Sequence, residues 1–262
     1  MKVSNKASIA VVCFSNIRQQ QAEEFCQINK LPLLKKKSKN HDLQLLIHDD
    51  IIELFDQQLN TVISIDFLKG SLAHRQQFGG GRGQAIAKAV GLKSGITPSV
   101  LDTTAGLAGD AFVLATLGCP VTLIERSSIL FYLLENAVER ASLSDKFQTI
   151  SEQGFSIINA DSNQFITQQL AKNSPKPDVI YIDPMYPERK KSALVKKEMQ
   201  VLQRLHGNDD NASELLNNAL LFAKKRVVVK RPVHAEPLNE KTPNTCIKSK
   251  KTRYDVYTIE KM

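Results

Sequence analysis

The chain has 262 residues, 42% hydrophobic and 24% charged, close to globular averages, which excludes disorder, collagen and coiled coil as the overall architecture. Its length suits one α/β domain with a small appendage and is short for two full domains. Thirty-five Lys and Arg against 27 Asp and Glu leave a net charge of +8, an excess that disfavours a small-molecule substrate and favours a polyanionic partner.

The N-terminal stretch MKVSNKASIAVVCFSN has a short apolar run with no small-residue cleavage pattern behind it, and no apolar stretch approaches the roughly 20 residues a bilayer requires. These features predict a soluble, cytoplasmic protein. Cys13, Cys26, Cys119 and Cys246 are widely spaced with no C-x-x-C pair, so they read as buried, reduced thiols rather than a zinc site or a disulfide framework.

In chain order, the first 70 residues read as a small α/β subdomain. Strands are predicted at Ile9 to Phe14, Leu43 to Ile47 and Thr61 to Phe67, with a polar helix around Arg18 to Asn29. The run Lys35, Lys36, Lys37, Lys39 is either a solvated loop or a phosphate-contacting one. Residues 71–97 form a glycine-rich linker, FGGGRG, followed by a helix near Gln84, with His74, Arg75 and Arg82 flanking the glycines.

From residue 98 to 262 the pattern becomes regular. Short apolar runs SVLD (99–102), PVTLIE (120–125), FSIINAD (155–161), DVIYID (178–183) and KRVVVKRP (225–232) are nearly continuous at their centres, as strands buried on both faces are. Helices are predicted at Gly109 to Leu117, Ser127 to Arg140, Ser162 to Leu170, near Ser192 to Leu205, and Ala212 to Ala223. TCIKSK and RYDVYTIE are too close for a crossover helix and read as a closing hairpin. The predicted fold is a doubly wound, mostly parallel seven-stranded Rossmann-like sheet ending in an antiparallel hairpin.

In such a sheet ligands bind beyond the carboxyl ends of the strands. The first run of this sheet ends in Asp102, then Gly106 and Gly109 in a turn, with Asp110 opening a helix whose N-terminal N–H groups suit an anionic or polar ligand. The turn lacks a glycine of the dinucleotide fingerprint, which disfavours a nicotinamide dehydrogenase. The second run ends in Glu125-Arg126, 23 residues beyond Asp102, where an acidic side chain can accept both ribose hydroxyls. The third ends in Asp161-Ser162, placed either to bind an adenine amine or to cap the next helix.

The fourth run ends in Asp183-Pro184-Met185-Tyr186-Pro187. Two prolines around an aromatic fix a stiff turn that presents Tyr186 and the Pro184 carbonyl. The exocyclic amine of a nucleobase is a poor nucleophile because its lone pair is delocalised into the ring. A carboxylate and a carbonyl accepting its two hydrogens favour a pyramidal nitrogen, while an aromatic ring stacks on the base. Such a base must be unpaired or flipped to reach the turn.

Arg189, Lys190, Lys191, Lys196 and Lys197 follow the turn, and Lys230 and Arg231 end the fifth run. Alone such runs are solvated faces; beside this turn they are the candidate surface for a polyanionic partner, which the resemblance described below implies is RNA.

DPMY resembles the (D/N)PP(Y/F) motif of S-adenosylmethionine-dependent amino-methyltransferases, and VLDTTAGLAGD resembles their first motif. Together with FGGGRGQAIAKAVG, DPMYPERKKSALVKKEMQ and KRVVVKRP, the chain from about residue 70 onward resembles the ribosomal RNA small subunit methyltransferase J family. The resemblance implies S-adenosylmethionine as cofactor and methylation of a guanine N2 amine in the 3′ minor domain of 16S rRNA. It also implies cofactor contacts at Gly109-Asp110, Glu125-Arg126, Asp161-Ser162 and Asp183, no metal, and 16S rRNA or the small ribosomal subunit as partner. In the family an Arg precedes the aspartate aligned with Asp110; Gly109 stands there in this chain, so a backbone contact survives and a side-chain contact does not. Methylation of another RNA, of DNA or of a protein amide, or an RNA-binding module without catalysis, are the competing readings.

Overall fold

The computed structural model describes residues 7–69, 81–184, 197–206, 212–250 and 252–262. These fall into two compact units. One holds the described residues of Met1–Ile65, Ser128–Arg140 and Met185–Asp209; the other holds those of Asp66–Ser127, Ala141–Pro184 and Asp210–Met262.

The first unit is built on a five-stranded sheet of β1 (Ile9–Cys13), β2 (Leu33–Leu34), β3 (Leu43–Ile47), β4 (Ile52–Asp56) and β5 (Thr61–Ile63), in the order β2-β1-β3-β4-β5. β1 runs parallel to β2 and β3, and β4 and β5 return antiparallel. Leu43, Leu45 and Ile47 alternate with Gln44 and Leu46, and all five are buried. The predicted strand at Thr61 to Phe67 stops at Ile63.

β4 escaped the sequence reading, although Ile52, Leu54 and Asp56 point inward and Glu53 and Phe55 less so. Its inward face ends on a carboxylate that is fully buried and paired at 3.3 Å with Arg204, on the helix Lys197–His206. A buried charge is tolerated only with such a partner, and the partner lies far along the chain. The helix Ser128–Ala141 belongs to the same unit for all but its last residue. Tyr132 stacks on Phe25 at 4.6 Å, and Asn136 Oδ1 accepts the Ile52 N–H at 3.0 Å.

The second unit carries a seven-stranded sheet of β6 (Val100–Asp102), β7 (Val121–Glu125), β8 (Phe155–Asn159), β9 (Val179–Ile182), β10 (Arg226–Pro232), β11 (Thr245–Lys248) and β12 (Thr252–Thr258). The order is β11-β12-β10-β9-β6-β7-β8, parallel from β10 to β8 and antiparallel at the hairpin, as the sequence predicts. Burial of Leu101, Ile124, Ile180, Ile182, Val227 and Val229 with Leu216, Ala219 and Phe222 of the helix Ala212–Phe222 forms one core cluster of this unit. Each such aliphatic side chain contributes about 1.5–3 kcal/mol. The helix Asp145–Glu152, with Phe147 and Ile150 inward, is an element the sequence reading did not place.

Cys26 and Cys119 are buried as expected. Cys246 is not: it is exposed on the edge strand β11, where its thiol donates to Asp255 at 3.1 Å, and Cys13 is half-buried. No helix among the described residues is long and apolar enough to cross a membrane.

Candidate active site

The carboxyl ends of β6, β7, β8, β9 and β10 all lie in the second unit, and hydrogen bonds join their tips into one set. Asp102, at the end of β6, is 3% exposed, and its Oδ1 accepts the Thr104 N–H at 2.9 Å and the Thr104 hydroxyl at 3.3 Å. That hydroxyl in turn accepts the Asp183 N–H at 2.7 Å, so one threonine ties the ends of β6 and β9 together. The neighbouring Thr103 donates through both its N–H and its hydroxyl to the Tyr181 carbonyl, each at 3.0 Å.

The turn after β6 is held by Glu125 at the end of β7. Its two oxygens accept the Gly106 N–H at 3.0 Å and the Ser127 N–H at 2.8 Å. Gly106 has φ +54°, where glycine is free of the Cβ penalty, and Ala108 takes φ +57° at about 1–2 kcal/mol. Two left-handed residues in three curl the backbone before the helix Gly109–Thr116 begins. Each carboxylate oxygen carries two lone pairs, so these bonds do not exclude a ribose diol at Glu125. Arg126 is exposed beside it.

Asp161 caps the helix Ser162–Ala171, accepting the Gln164 N–H at 3.0 Å, and the Ser162 hydroxyl donates to the Thr103 carbonyl at 2.7 Å. The capping role is therefore present, and it fixes both side chains at the rim of the set.

Asp110, in the first turn of the helix Gly109–Thr116, is 9% exposed. Its Oδ2 accepts the Tyr181 hydroxyl at 2.6 Å and the Lys230 ammonium at 2.8 Å, while the same ammonium meets Asp183 Oδ2 at 2.6 Å. Asp183 follows β9 directly, and Pro184 beside it is buried. Tyr186, Arg189, Lys190, Lys191 and Lys196 lie outside the described residues, as do His74 and Arg75. Lys197 opens its helix in the first unit and donates to the Leu59 carbonyl at 3.2 Å. Arg82 donates to the Lys93 carbonyl.

Two residues expected on an RNA surface are placed differently. Lys230 is turned to Asp110 and Asp183, because β10 runs parallel to β9 with Val229 opposite Ile182 and the next pair brings the ammonium beside Asp183. Arg231 points the opposite way, is only 5% exposed, and donates to the Glu236 carbonyl. Strand alternation sends the two cations to opposite faces, and neither is an outward surface charge.

Burial raises the Asp102 carboxyl from its ordinary 3.8 to about 7, opposed by the Thr104 N–H and reinforced by the charges of Asp110 and Asp183. Burial likewise raises Glu125 to about 7 against the pull of the Ser127 and Gly106 N–H groups. For Lys230 burial acts downward, but the Asp183 and Asp110 charges outweigh it and hold the ammonium above the usual lysine range. A carboxyl whose folded pKa exceeds its unfolded value favours the fold below about pH 4 and loses that contribution as pH rises through about 7. Asp102→Asn, which keeps the acceptor oxygen, is therefore expected to gain about 2 kcal/mol on the wild type between pH 5 and pH 8. Urea unfolding at the two pH values reads it; parallel wild-type and variant curves would remove the effect from Asp102.

The donor set suits S-adenosylmethionine. Asp102, Asp110, Glu125, Asp161 and Asp183 line one sheet edge, and two of them are desolvated enough to resist ionisation. A ligand bearing an ammonium and a ribose diol can add donors to carboxylate oxygens that already accept from backbone N–H groups and from Lys230, since each oxygen carries two lone pairs. Asp102, Asp110, Glu125, Asp161 and Asp183 would hold it, with the glycine turn as its backbone cradle.

Comparison with known proteins agrees with this chemistry. The SAM-dependent methyltransferase family model SAM_MT matches residues 26–259. The ribosomal RNA small subunit methyltransferase J of Shewanella amazonensis is 51% identical over 83% of this chain and 87% of its own length. That of Photobacterium profundum is 44% identical over 95% of this chain and 97% of its own. The crystal structure of a SAM-dependent methyltransferase from Neisseria gonorrhoeae superposes with a TM-score of 0.74 and 30% identity, covering 95% of this chain and 96% of that one. With this similarity along nearly its whole length, the chain belongs to the ribosomal RNA small subunit methyltransferase J family.

Proposed function

We propose that the protein methylates the exocyclic N2 amine of a guanine in the 3′ minor domain of 16S rRNA, in the cytoplasm, with S-adenosylmethionine as cofactor. The observation that carries this reading is Asp183-Pro184 leaving the end of β9, anchored to Thr104 and Lys230 beside the Glu125-held turn. The cofactor, when bound, supplies a methyl group already activated on a sulfonium sulfur, so the protein's contribution is positioning.

Asp183 accepts one hydrogen of the guanine amine and orients its lone pair. The Pro184 carbonyl accepts the second hydrogen, and Tyr186 stacks on the base. Asp102, Gly106, Gly109, Asp110, Glu125, Arg126, Asp161 and Ser162 form the cofactor side, with Gly109 contributing backbone only. The residues of the cofactor side, with Asp183 and Pro184, all belong to the second unit.

Arg189, Lys190, Lys191, Lys196 and Lys197 contact the RNA backbone. Replacing Lys190 and Lys191 with Ala together is expected to weaken RNA binding and to reduce the slope of log Kobs against log salt by about 1.5, since two fewer counterion-releasing contacts are made. Filter binding across a salt series measures it; an unchanged slope would put the RNA surface elsewhere.

Transfer of labelled methyl from S-adenosylmethionine to small subunits, or to their deproteinised rRNA, from cells lacking this protein tests the reading. Incorporation into RNA is expected; clear cofactor binding without incorporation into either would exclude these substrates.

A further inference from the structure

We infer that Lys230 is a positioning residue for methyl transfer: its ammonium, 2.6 Å from Asp183 Oδ2 and 2.8 Å from Asp110 Oδ2, holds the Asp183 carboxylate anionic and aimed at the target amine. The inference rests on the proposed methyl-transfer reading and deepens it.

Two elements present acidic groups to this one ammonium, Asp110 from the helix Gly109–Thr116 and Asp183 from the end of β9. Asp102, at the end of β6, feels the charges of both carboxylates. Tyr181 adds a hydroxyl bonded to Asp110, and Tyr254 of β12 sits opposite Lys230 in the sheet register. Without a cation at its centre, such a cluster would shift toward protonated carboxyls, because like charges a few ångströms apart disfavour joint ionisation. A protonated Asp183 donates a hydrogen where the amine needs an acceptor.

An RNA-contacting role fits this placement poorly. The Lys230 side chain is 25% exposed, and two of its three ammonium hydrogens already meet carboxylates, so a phosphate would have to displace an ion pair. The strand itself aims the side chain: β10 is fixed on both sides, by β9 and by β12, and its alternation sends Lys230 to the face that Asp110 and Asp183 share.

The test compares wild type with Lys230→Met and Lys230→Arg, each checked for folding by circular dichroism and thermal melting. Carbon-13 NMR of the carboxyl groups, with Asp183→Asn used to assign the resonance, follows Asp183 ionisation without any need for turnover. In Lys230→Met, Asp183 is expected to titrate at least one pH unit higher than in wild type. Its single-turnover rate is expected to fall about 10²-fold at pH 7, the scale of a misplaced reacting group, and the acid limb of the rate profile to move up with the carboxyl. RNA affinity and its salt slope are expected to match wild type, and Lys230→Arg, which keeps the charge and offers a fork to two carboxylates, to recover most of the rate. An unshifted Asp183 titration in folded Lys230→Met would overturn the inference whatever the rate does. So would a lowered salt slope with a normal rate, which would return Lys230 to the RNA surface. Absence of methyl transfer by wild type itself would instead sink the proposed function, with the NMR comparison still reporting the pairing.

Discussion

Asp183→Ala is expected to lower the single-turnover rate of methyl transfer at saturating cofactor by about 10³-fold, with RNA affinity within a few-fold of wild type. The size follows from the role proposed for the side chain. The guanine amine is a weak nucleophile, and one carboxylate acceptor both orients it and favours the pyramidal nitrogen that attacks. Asp183 can do this because its backbone is pinned by Thr104 and its carboxylate by Lys230, while the side chain stays 38% exposed to an incoming base. Asp183→Asn is expected to lose less, about 10²-fold, since the amide oxygen still accepts a hydrogen while the charge and the Lys230 ion pair are gone. Rapid-quench transfer and RNA binding, measured on the same preparations, separate the two effects. A near-normal rate with lost RNA binding would remove Asp183 from the chemistry.

The largest expected effect on stability lies away from the chemistry. Phe67→Ala should cost about 3–5 kcal/mol, the range for deleting a buried aromatic from a packed core. Phe67 is 1% exposed and stacks on Phe112 at 4.7 Å and Phe147 at 5.8 Å, with Phe155 edge-on at 5.7 Å. Phe112 belongs to the helix that begins at Gly109 and carries Asp110, so the quartet also seats the helix whose first turn meets Lys230. Urea unfolding followed by near-ultraviolet circular dichroism measures the loss. A cost below about 1 kcal/mol would mean that the site collapses around the deletion and that Phe67 is not central to this core.

Phe67 also shows where the sequence stops being readable. It stands at the end of an apolar run, TVISIDF, that reads as a strand of the N-terminal subdomain. In the structure the strand ends at Ile63, and Phe67 packs among aromatics 45 to 88 positions further along. A run of apolar residues announces burial but not the partner. The strands of the catalytic sheet were legible because parallel strands covered on both faces are apolar throughout, and their ends were legible because ligands gather there. Asp102, Glu125 and Asp183 could be singled out on that rule alone.

The cations were not legible in the same way. Lys230 and Arg231 are adjacent and look alike in the sequence, yet one turns to Asp110 and Asp183 and the other into a buried contact with Glu236. Lys230 meets carboxylates 47 and 120 residues away, a distance no local pattern spans. Alternation along KRVVVKRP does show that the two must face opposite sides, which is the signal that separates them. β4 was missed for a related reason: the buried carboxylate of Asp56 is held by the Leu59 N–H and by Arg204, far along the chain.

The most direct test of the whole account is mass spectrometry of nucleosides and RNase fragments from small subunits methylated by this protein. The expected product is N2-methylguanosine, confined to a fragment of the 3′ minor domain and absent when Asp183 is replaced by Ala. A methyl group on another base, on the ribose or in another domain of the RNA would contradict the assigned amine, and with it the role given to Asp183 and Pro184.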